Sequence, residues 1–135
     1  RSTQGVSSAA SDVYKRQHDT GPIRDAFDAY RELVTRFPNS TYAPDANKRL
    51  VEIVNVLAMH DVQIARYYHA RGAHVAALNR AKQVLETYQT SSAVEHALAV
   101  MIKAYKEMGL AELGHDAERV LRLNYPHSSY LTENH

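Results

Sequence analysis

The segment Phe37-Pro38-Asn39-Ser40-Thr41-Tyr42 recurs eighty-eight residues later as Tyr125-Pro126-His127-Ser128-Ser129-Tyr130. A more divergent copy, Tyr88-Gln89-Thr90-Ser91-Ser92-Ala93, lies between them, and an apolar stripe with helical spacing precedes each copy. Because the same segment returns at the same place relative to a helical stripe, it marks the end of a repeated unit. The sequence therefore predicts a repeat protein.

The repeat period in the second half of the chain is thirty-seven residues. Five pairs of residues have this separation: Tyr68 and Tyr105, Gly72 and Gly109, Ala77 and Gly114, Val84 and Leu121, and Tyr88 and Tyr125. The period is close to the roughly 34 residues of tetratricopeptide repeats. Each unit is read as a helix, a turn containing Gly, a second helix and the aromatic-Pro-polar-Ser segment. Arrays of this kind usually bind other proteins and usually have no catalytic activity.

The predicted fold class is all-α, a tetratricopeptide-like helical repeat solenoid of about five helices. The expected helices run from Pro22 to Phe37, Pro44 to Arg71, His74 to Tyr88, Ala93 to Met108 and Glu112 to Asn124. No Gly or Pro interrupts residues 46–71, so we expect the second helix to continue unbroken through Asp61. Its excess length explains why the first two copies of the segment are fifty-one residues apart.

The apolar stripes predict a core in which small residues occupy the helix crossings. Four larger side chains should be buried there: Leu57, Leu78, Leu85 and Met101. The expected crossing residues are Ala77, Ala81 and Gly114. Asp61 lies within the stripe of the second helix, and we expect it to be a buried carboxylate paired with Arg66 or Arg80.

Composition argues against several kinds of function. The 16 Lys and Arg residues nearly balance the 15 Asp and Glu residues, so a net charge of +1 provides no general attraction for nucleic acid. The chain has no Cys and therefore no disulfide or thiolate metal site. Although there are eight histidines, His69 and His74 are separated by Gly72 across a turn, and no metal site is expected.

Asp61 has no identifiable titratable partner for catalysis. We expect no enzyme activity, cofactor, metal or small-molecule substrate.

The domain prediction has three parts. Residues 1–20 are read as a non-native or disordered leader, because Ser8 to Gln17 resembles translated adapter sequence; a native linker is the alternative. Residues 21–130 form the repeat domain, and residues 131–135 form a tail. The first helix is expected to be the second helix of a repeat whose first helix is missing.

Two stretches carry a more specific pattern than a generic repeat. Residues 27–42, followed by residues 45–50, form the first; residues 65–80 form the second, with Tyr67-Tyr68, Arg71-Gly72-Ala73 and Asn79-Arg80 at set spacings. Together with the long second helix, these strings resemble the BamD family of outer membrane protein assembly factors. The resemblance covers residues 21–130 and corresponds to the C-terminal half of that family. One departure is His74, where the family often has an aromatic residue.

The resemblance implies a periplasmic lipoprotein at the inner face of the outer membrane of a Gram-negative bacterium. Its implied partners are the periplasmic domains of BamA and other lipoproteins of the assembly machinery, with the membrane reached only through an upstream lipid anchor. Within the matching string, the expected partner-binding residues are Tyr67, Arg71, Asn79 and Arg80, although exposed arginines are often only solvated. The alternative is an unrelated tetratricopeptide adaptor that binds peptide tails. A signal peptide and lipidated Cys upstream would favour the first interpretation.

Overall fold

The computed structural model describes residues 20–132, and the regular structure in this range is entirely helical. The helices are α1 (Gly21–Arg36), α2 (Ala43–Ala70), α3 (His74–Thr87), α4 (Ala93–Glu107) and α5 (Ala111–Asn124), followed by a short 3-10 helix (Ser129–Leu131). The boundaries of the five α-helices each lie within one residue of the predicted ones, and the 3-10 helix was not predicted. The predicted all-α class and the unbroken second helix are both confirmed, whereas residues 1–19 of the predicted leader and residues 133–135 of the predicted tail lie outside the described residues.

The chain divides into two compact units, Arg1–Ile53 and Val54–His135. The first unit contains α1 and the beginning of α2, where Ala43 and Ala46 are buried. The second unit contains the rest of α2, the helices α3 to α5 and the principal hydrophobic core. In this unit α3 packs on α4, and α4 packs on α5.

Alanine supplies much of the core of the second unit. The crossing residues Ala77, Ala81 and Gly114 are all buried, as predicted. Between these small residues, the largest fully buried side chains are those of Leu98, Leu121, Val62 and Val84. Small residues at the contacts allow neighbouring helices to approach closely, while the larger side chains fill the space that remains.

Three of the four large side chains predicted to be buried are so: Leu57, Leu78 and Met101. The prediction for Leu85 is wrong, because this side chain is only half-buried at the edge of the core. The adjacent Val84 is 0% exposed and occupies the core-facing position of α3. Successive residues on a helix point about 100° apart, so Leu85 is turned toward the surface.

The three copies of the terminal segment form the same turn. In each copy the carbonyl of the aromatic residue accepts the Ser N–H three residues later: Phe37 with Ser40 at 3.0 Å, Tyr88 with Ser91 at 2.9 Å, and Tyr125 with Ser128 at 2.9 Å. The Ser hydroxyl then accepts a second N–H: from Tyr42 at 3.1 Å, Ala93 at 3.0 Å and Tyr130 at 3.3 Å. The repeat seen in the sequence is thus a repeat of backbone geometry, and the Ser is needed as a local acceptor.

The two glycine turns also match each other. Gly72 and Gly109 have φ angles of 79° and 74°, a left-handed conformation that other L-residues adopt at a cost. The same hydrogen bond closes both turns at 2.9 Å: Ala73 N–H to the Tyr68 carbonyl, and Leu110 N–H to the Tyr105 carbonyl. This is the Schellman arrangement of a helix C-terminus, and it reverses the chain at the predicted thirty-seven-residue interval.

Replacement of Leu121 by Ala should be strongly destabilising, with Leu123→Ala as a matched control on the same helix. Leu121 is 0% exposed and Leu123 is 80% exposed. We expect Leu121→Ala to lower the free energy of unfolding by about 2–5 kcal/mol and Leu123→Ala to change it by less than about 0.5 kcal/mol. Urea denaturation followed by circular dichroism measures both. Equal losses for the two variants would contradict the described packing of α5.

Candidate protein-docking site

The C-terminal end of α2 presents an arginine stacked on a tyrosine. The guanidinium carbon of Arg71 lies 3.6 Å from the centroid of the Tyr67 ring, and Arg71 Nη1 donates to the Tyr67 carbonyl at 3.4 Å. Tyr67 is 39% exposed, whereas Tyr68 lies partly buried against the core and meets the Tyr67 ring edge-on at 5.9 Å. The two tyrosines therefore point to different sides of the helix, as predicted. The stacking holds the Arg71 cation in a defined position at the surface.

Arg80 on α3 forms an ion pair with the buried carboxylate of Asp61 on α2. The distance from Arg80 Nη1 to Asp61 Oδ1 is 3.2 Å; Asp61 is 6% exposed, and the Arg80 side chain retains 39% of its exposure. Of the two predicted partners for Asp61, the structure selects Arg80. Arg66 instead donates to the hydroxyl of Tyr130 at 3.2 Å. Arg80 thus combines a structural role with partial exposure.

Of the four predicted docking residues, two contact each other, a third pairs with Asp61 outside the set, and the fourth is an exposed amide. Tyr67 is joined to Arg71, Arg80 is joined to Asp61, and Asn79 is exposed on α3 beside Arg80. The spacing of Tyr67 and Arg71 is a signal from which their contact could have been predicted, because residues i and i+4 are neighbours on a helix.

His69 and His74 meet across the Gly72 turn, a contact that their separation in sequence does not suggest. Their Nδ1 atoms are 3.1 Å apart and their ring centroids 5.0 Å apart, so one imidazole donates an N–H to the other's lone pair. Burial lowers the pKa of His69 below its ordinary value of 6.5; the neighbouring His74 lowers it further, Glu107 opposes the shift, and Lys103 adds to it. The pair is stable only while at least one of the facing nitrogens is unprotonated.

A network of three polar side chains ties the 3-10 helix to α2 and α4. The hydroxyl of Tyr130 lies 2.6 Å from His96 Nδ1 and accepts the hydrogen bond from Arg66. The Tyr130 ring also meets the His96 ring edge-on at 5.6 Å. Because these partners are 34 and 64 residues away from Tyr130, helical periodicity carries no signal for the network. It gives the last copy of the segment a contact with the helices before it.

Within residues 20–132, no three His, Asp or Glu side chains come together in a way that could hold a metal ion. In the same range no helix is both long enough and apolar enough to cross a membrane.

The repeated helices and their Gly and Ser turns define a tetratricopeptide-like helical repeat protein. The chain belongs to the YfiO outer membrane lipoprotein family, whose model matches residues 3–121. This match confirms the resemblance found in the sequence. It also decides against the alternative of an unrelated adaptor.

The relatives of this chain are outer membrane protein assembly factors named BamD. The protein from Neisseria gonorrhoeae is 47% identical over 109 residues, which are 81% of this chain and 41% of the relative. The proteins from Haemophilus influenzae and Vibrio cholerae are 38% and 33% identical over 112 residues, covering 83% of this chain and 43% and 46% of their own lengths. The chain therefore spans less than half the length of these relatives.

Removal of the Arg80 cation should destabilise the fold by leaving Asp61 buried without its partner. We expect Arg80→Met to lower the free energy of unfolding by more than the roughly 1 kcal/mol typical of an exposed ion pair. The loss should be smaller than the about 3–5 kcal/mol typical of breaking a fully buried ion pair. The double variant Asp61→Leu/Arg80→Met should recover part of the loss, because no uncompensated charge remains. Urea denaturation of the parent, both single variants and the double variant measures the coupling. Additive losses would show that the two side chains do not interact.

The histidine pair predicts a loss of stability on acidification. Because the pKa of His69 is lower in the folded chain than in the unfolded chain, the unfolded chain binds the proton more readily as the pH falls below about 6.5. The stabilisation present above that pH is therefore lost as the pH falls through the folded pKa. The melting temperature of the parent should fall more between about pH 7.5 and pH 5.5 than that of His69→Gln. The control is His127→Gln at an exposed histidine, which should follow the parent.

Proposed function

We propose that this chain is part of a non-catalytic scaffold of the machinery that folds and inserts β-barrel proteins into the outer membrane. The observation that carries the proposal is its identity of up to 47% with proteins named outer membrane protein assembly factor BamD. In the intact protein the scaffold would lie on the periplasmic face of the outer membrane, held there by a lipid anchor upstream. The description of the matching family as an outer membrane lipoprotein supports that location.

Within this function, we assign docking to the periplasmic domains of BamA to the surface formed by Tyr67, Arg71, Asn79 and Arg80. Arg71 supports the assignment because it is exposed and already ordered by its stacking on Tyr67. A cation that is held in place loses less conformational entropy when it pairs with a partner's carboxylate. The exposed face of the Tyr67–Arg71 pair also provides an amphipathic contact of the type enriched at protein interfaces.

Arg71 is a better probe of this docking than Arg80. Because Arg80 pairs with the buried Asp61, a charge reversal at Arg80 would place two carboxylates together and would disturb the fold as well as the surface. The contacts of Arg71 are with Tyr67 on its own helix, so its replacement leaves the packing between α2 and α3 in place.

Arg71→Glu should weaken binding to purified periplasmic domains of BamA by about tenfold or more, as is typical of an arginine at the centre of an interface. Arg71→Lys should recover only part of the affinity, since an ammonium cannot reproduce the planar stacking on Tyr67. The control is Lys82→Glu, which reverses an exposed charge on α3. Isothermal titration calorimetry at low and high salt measures the affinities, and circular dichroism confirms that each variant is folded.

Two outcomes would contradict parts of the proposal. Unchanged affinity in folded Arg71→Glu would exclude the assigned docking surface while leaving the scaffold function in place. If a full-length relative bound BamA domains and this chain did not, the contact would lie in the part of the relative that this chain does not cover.

A further inference from the structure

A groove with an apolar floor and a basic rim runs between α4 and α5. It has a volume of about 320 Å³; its floor includes Ile102, Leu110 and Gly114, and its rim includes Lys103, Lys106 and His115. Leu110 is 39% exposed although it is a large apolar side chain. The Gly109 turn also lines the groove.

A neighbouring cleft extends the same basic surface along α5. This cleft of about 480 Å³ shares His115 and Glu118 with the α4–α5 groove and continues to Arg119, Arg122 and Leu123. Together the groove and the cleft are lined by four Lys and Arg residues and one carboxylate, in a chain whose net charge is +1. The residues that line the groove and the cleft are therefore mostly cationic, while the carboxylates of Glu107, Glu112 and Asp116 lie on the same two helices outside the lining.

The charges of the groove are only partly neutralised within the described chain. Arg122 pairs with Glu118 at 3.0 Å, and Arg119 pairs with Asp116 at 3.3 Å. Among residues 20–132, neither Lys103 nor Lys106 takes part in an ion pair. These two ammonium groups, beside an exposed apolar floor, remain available to a partner's carboxylates.

The thirty-seven-residue repeat provides an internal comparison. Lys106 and Ala111 occupy the positions that His69 and His74 occupy in the preceding repeat, on either side of the equivalent glycine turn. His69 and His74 contact each other across their turn. Lys106 and Ala111 both line the groove instead, so the equivalent space between α4 and α5 is open.

From the basic rim, the apolar floor and this opening, we infer that the α4–α5 groove binds an acidic peptide segment of a partner protein, with apolar side chains on the floor and carboxylates at Lys103 and Lys106. The site is distinct from the proposed BamA-docking residues and does not depend on them. Its concave form suits a chain segment better than a flat membrane surface, because apolar side chains can be enclosed between the helices.

The probe is a fluorescein-labelled synthetic peptide in which Glu and Leu alternate, with a Lys–Leu peptide of equal length as the comparison. Fluorescence anisotropy should show binding of the Glu–Leu peptide that weakens as salt is added, and much weaker binding of the Lys–Leu peptide. The variant Lys103→Glu/Lys106→Glu should bind the Glu–Leu peptide about tenfold less tightly or worse. The control Lys48→Glu/Lys82→Glu makes the same change of net charge at exposed positions and should stay within about twofold of the parent.

A second variant narrows the groove and leaves Lys103 unchanged, and Lys106→His alone is the control for loss of the Lys106 charge. Lys106→His/Ala111→His places the histidine pair of the preceding repeat into the α4–α5 turn and should close the groove to the peptide. Equal weakening in the groove variant and the Lys48/Lys82 control would overturn the inference, because binding would then reflect net charge alone. Binding to vesicles that contain phosphatidylglycerol, without binding to the Glu–Leu peptide, would overturn it in favour of a lipid surface.

The peptide measurement tests the groove, and the BamA measurement tests the docking surface, so one proposal can be wrong while the other holds. Absence of peptide binding in a chain that still binds BamA domains in an Arg71-dependent manner would overturn the groove alone. Peptide binding that survives Arg71→Glu would support the groove even where the BamA docking surface proved wrong.

Discussion

Close packing of helices across alanine is the constraint on which the second unit depends. Ala58, Ala65, Ala77, Ala81 and Ala104 are all 0% exposed in its core. A helix can approach its neighbour closely only where the facing side chains are small, so a larger residue at one of these positions would separate two helices. The larger buried side chains, such as Leu98 and Leu121, then fill the gaps that remain. The order of small and large residues therefore sets the distance between successive helices.

The Asp61–Arg80 pair adds a polar constraint to this apolar packing. Asp61 lies on α2 among apolar neighbours, and its charge is compensated from α3. A buried carboxylate that lost its cation would retain the cost of desolvation without the gain of pairing. The pair thus favours the alignment of α2 and α3 that keeps Arg80 within reach. Alanine contacts alone are less selective, since one small residue can replace another at a crossing.

The sequence was most informative where structure is determined locally. Helix ends and the Gly72 and Gly109 turns follow from residue type and spacing and were predicted to within a residue, and the Ser segments were predicted as the recurring end of each repeat. The burial of Leu85 was predicted wrongly because Val84 and Leu85 both fit an apolar stripe, and only the packed structure decides which of them faces the core.

Contacts between distant residues were predicted less well, since helical periodicity contains no information about them. The sequence limited the partner of Asp61 to two arginines, and the folded chain places Arg80 of α3, not Arg66, within reach of it. The His69–His74 contact depends on how tightly the chain folds back at the Gly72 turn. The α4–α5 groove is open because Lys106 and Ala111 occupy the positions that the two histidines occupy in the preceding repeat. The four proposed docking residues could be placed on helices from the sequence, but the choice between Arg66 and Arg80 as the partner of Asp61 could not be made from it.

In each repeat, the residues that form the glycine turn are different from the residues whose side chains form the surface beside it. Gly72 and Gly109 adopt the same left-handed conformation, and the same 2.9 Å hydrogen bond closes each turn. Neither feature involves the flanking side chains, so these can differ without changing the backbone. One turn carries two histidines that contact each other, and the other carries Lys106 and Ala111 beside an open groove. Because the backbone is held by glycine and by main-chain hydrogen bonds, successive repeats can acquire different binding properties while keeping one fold.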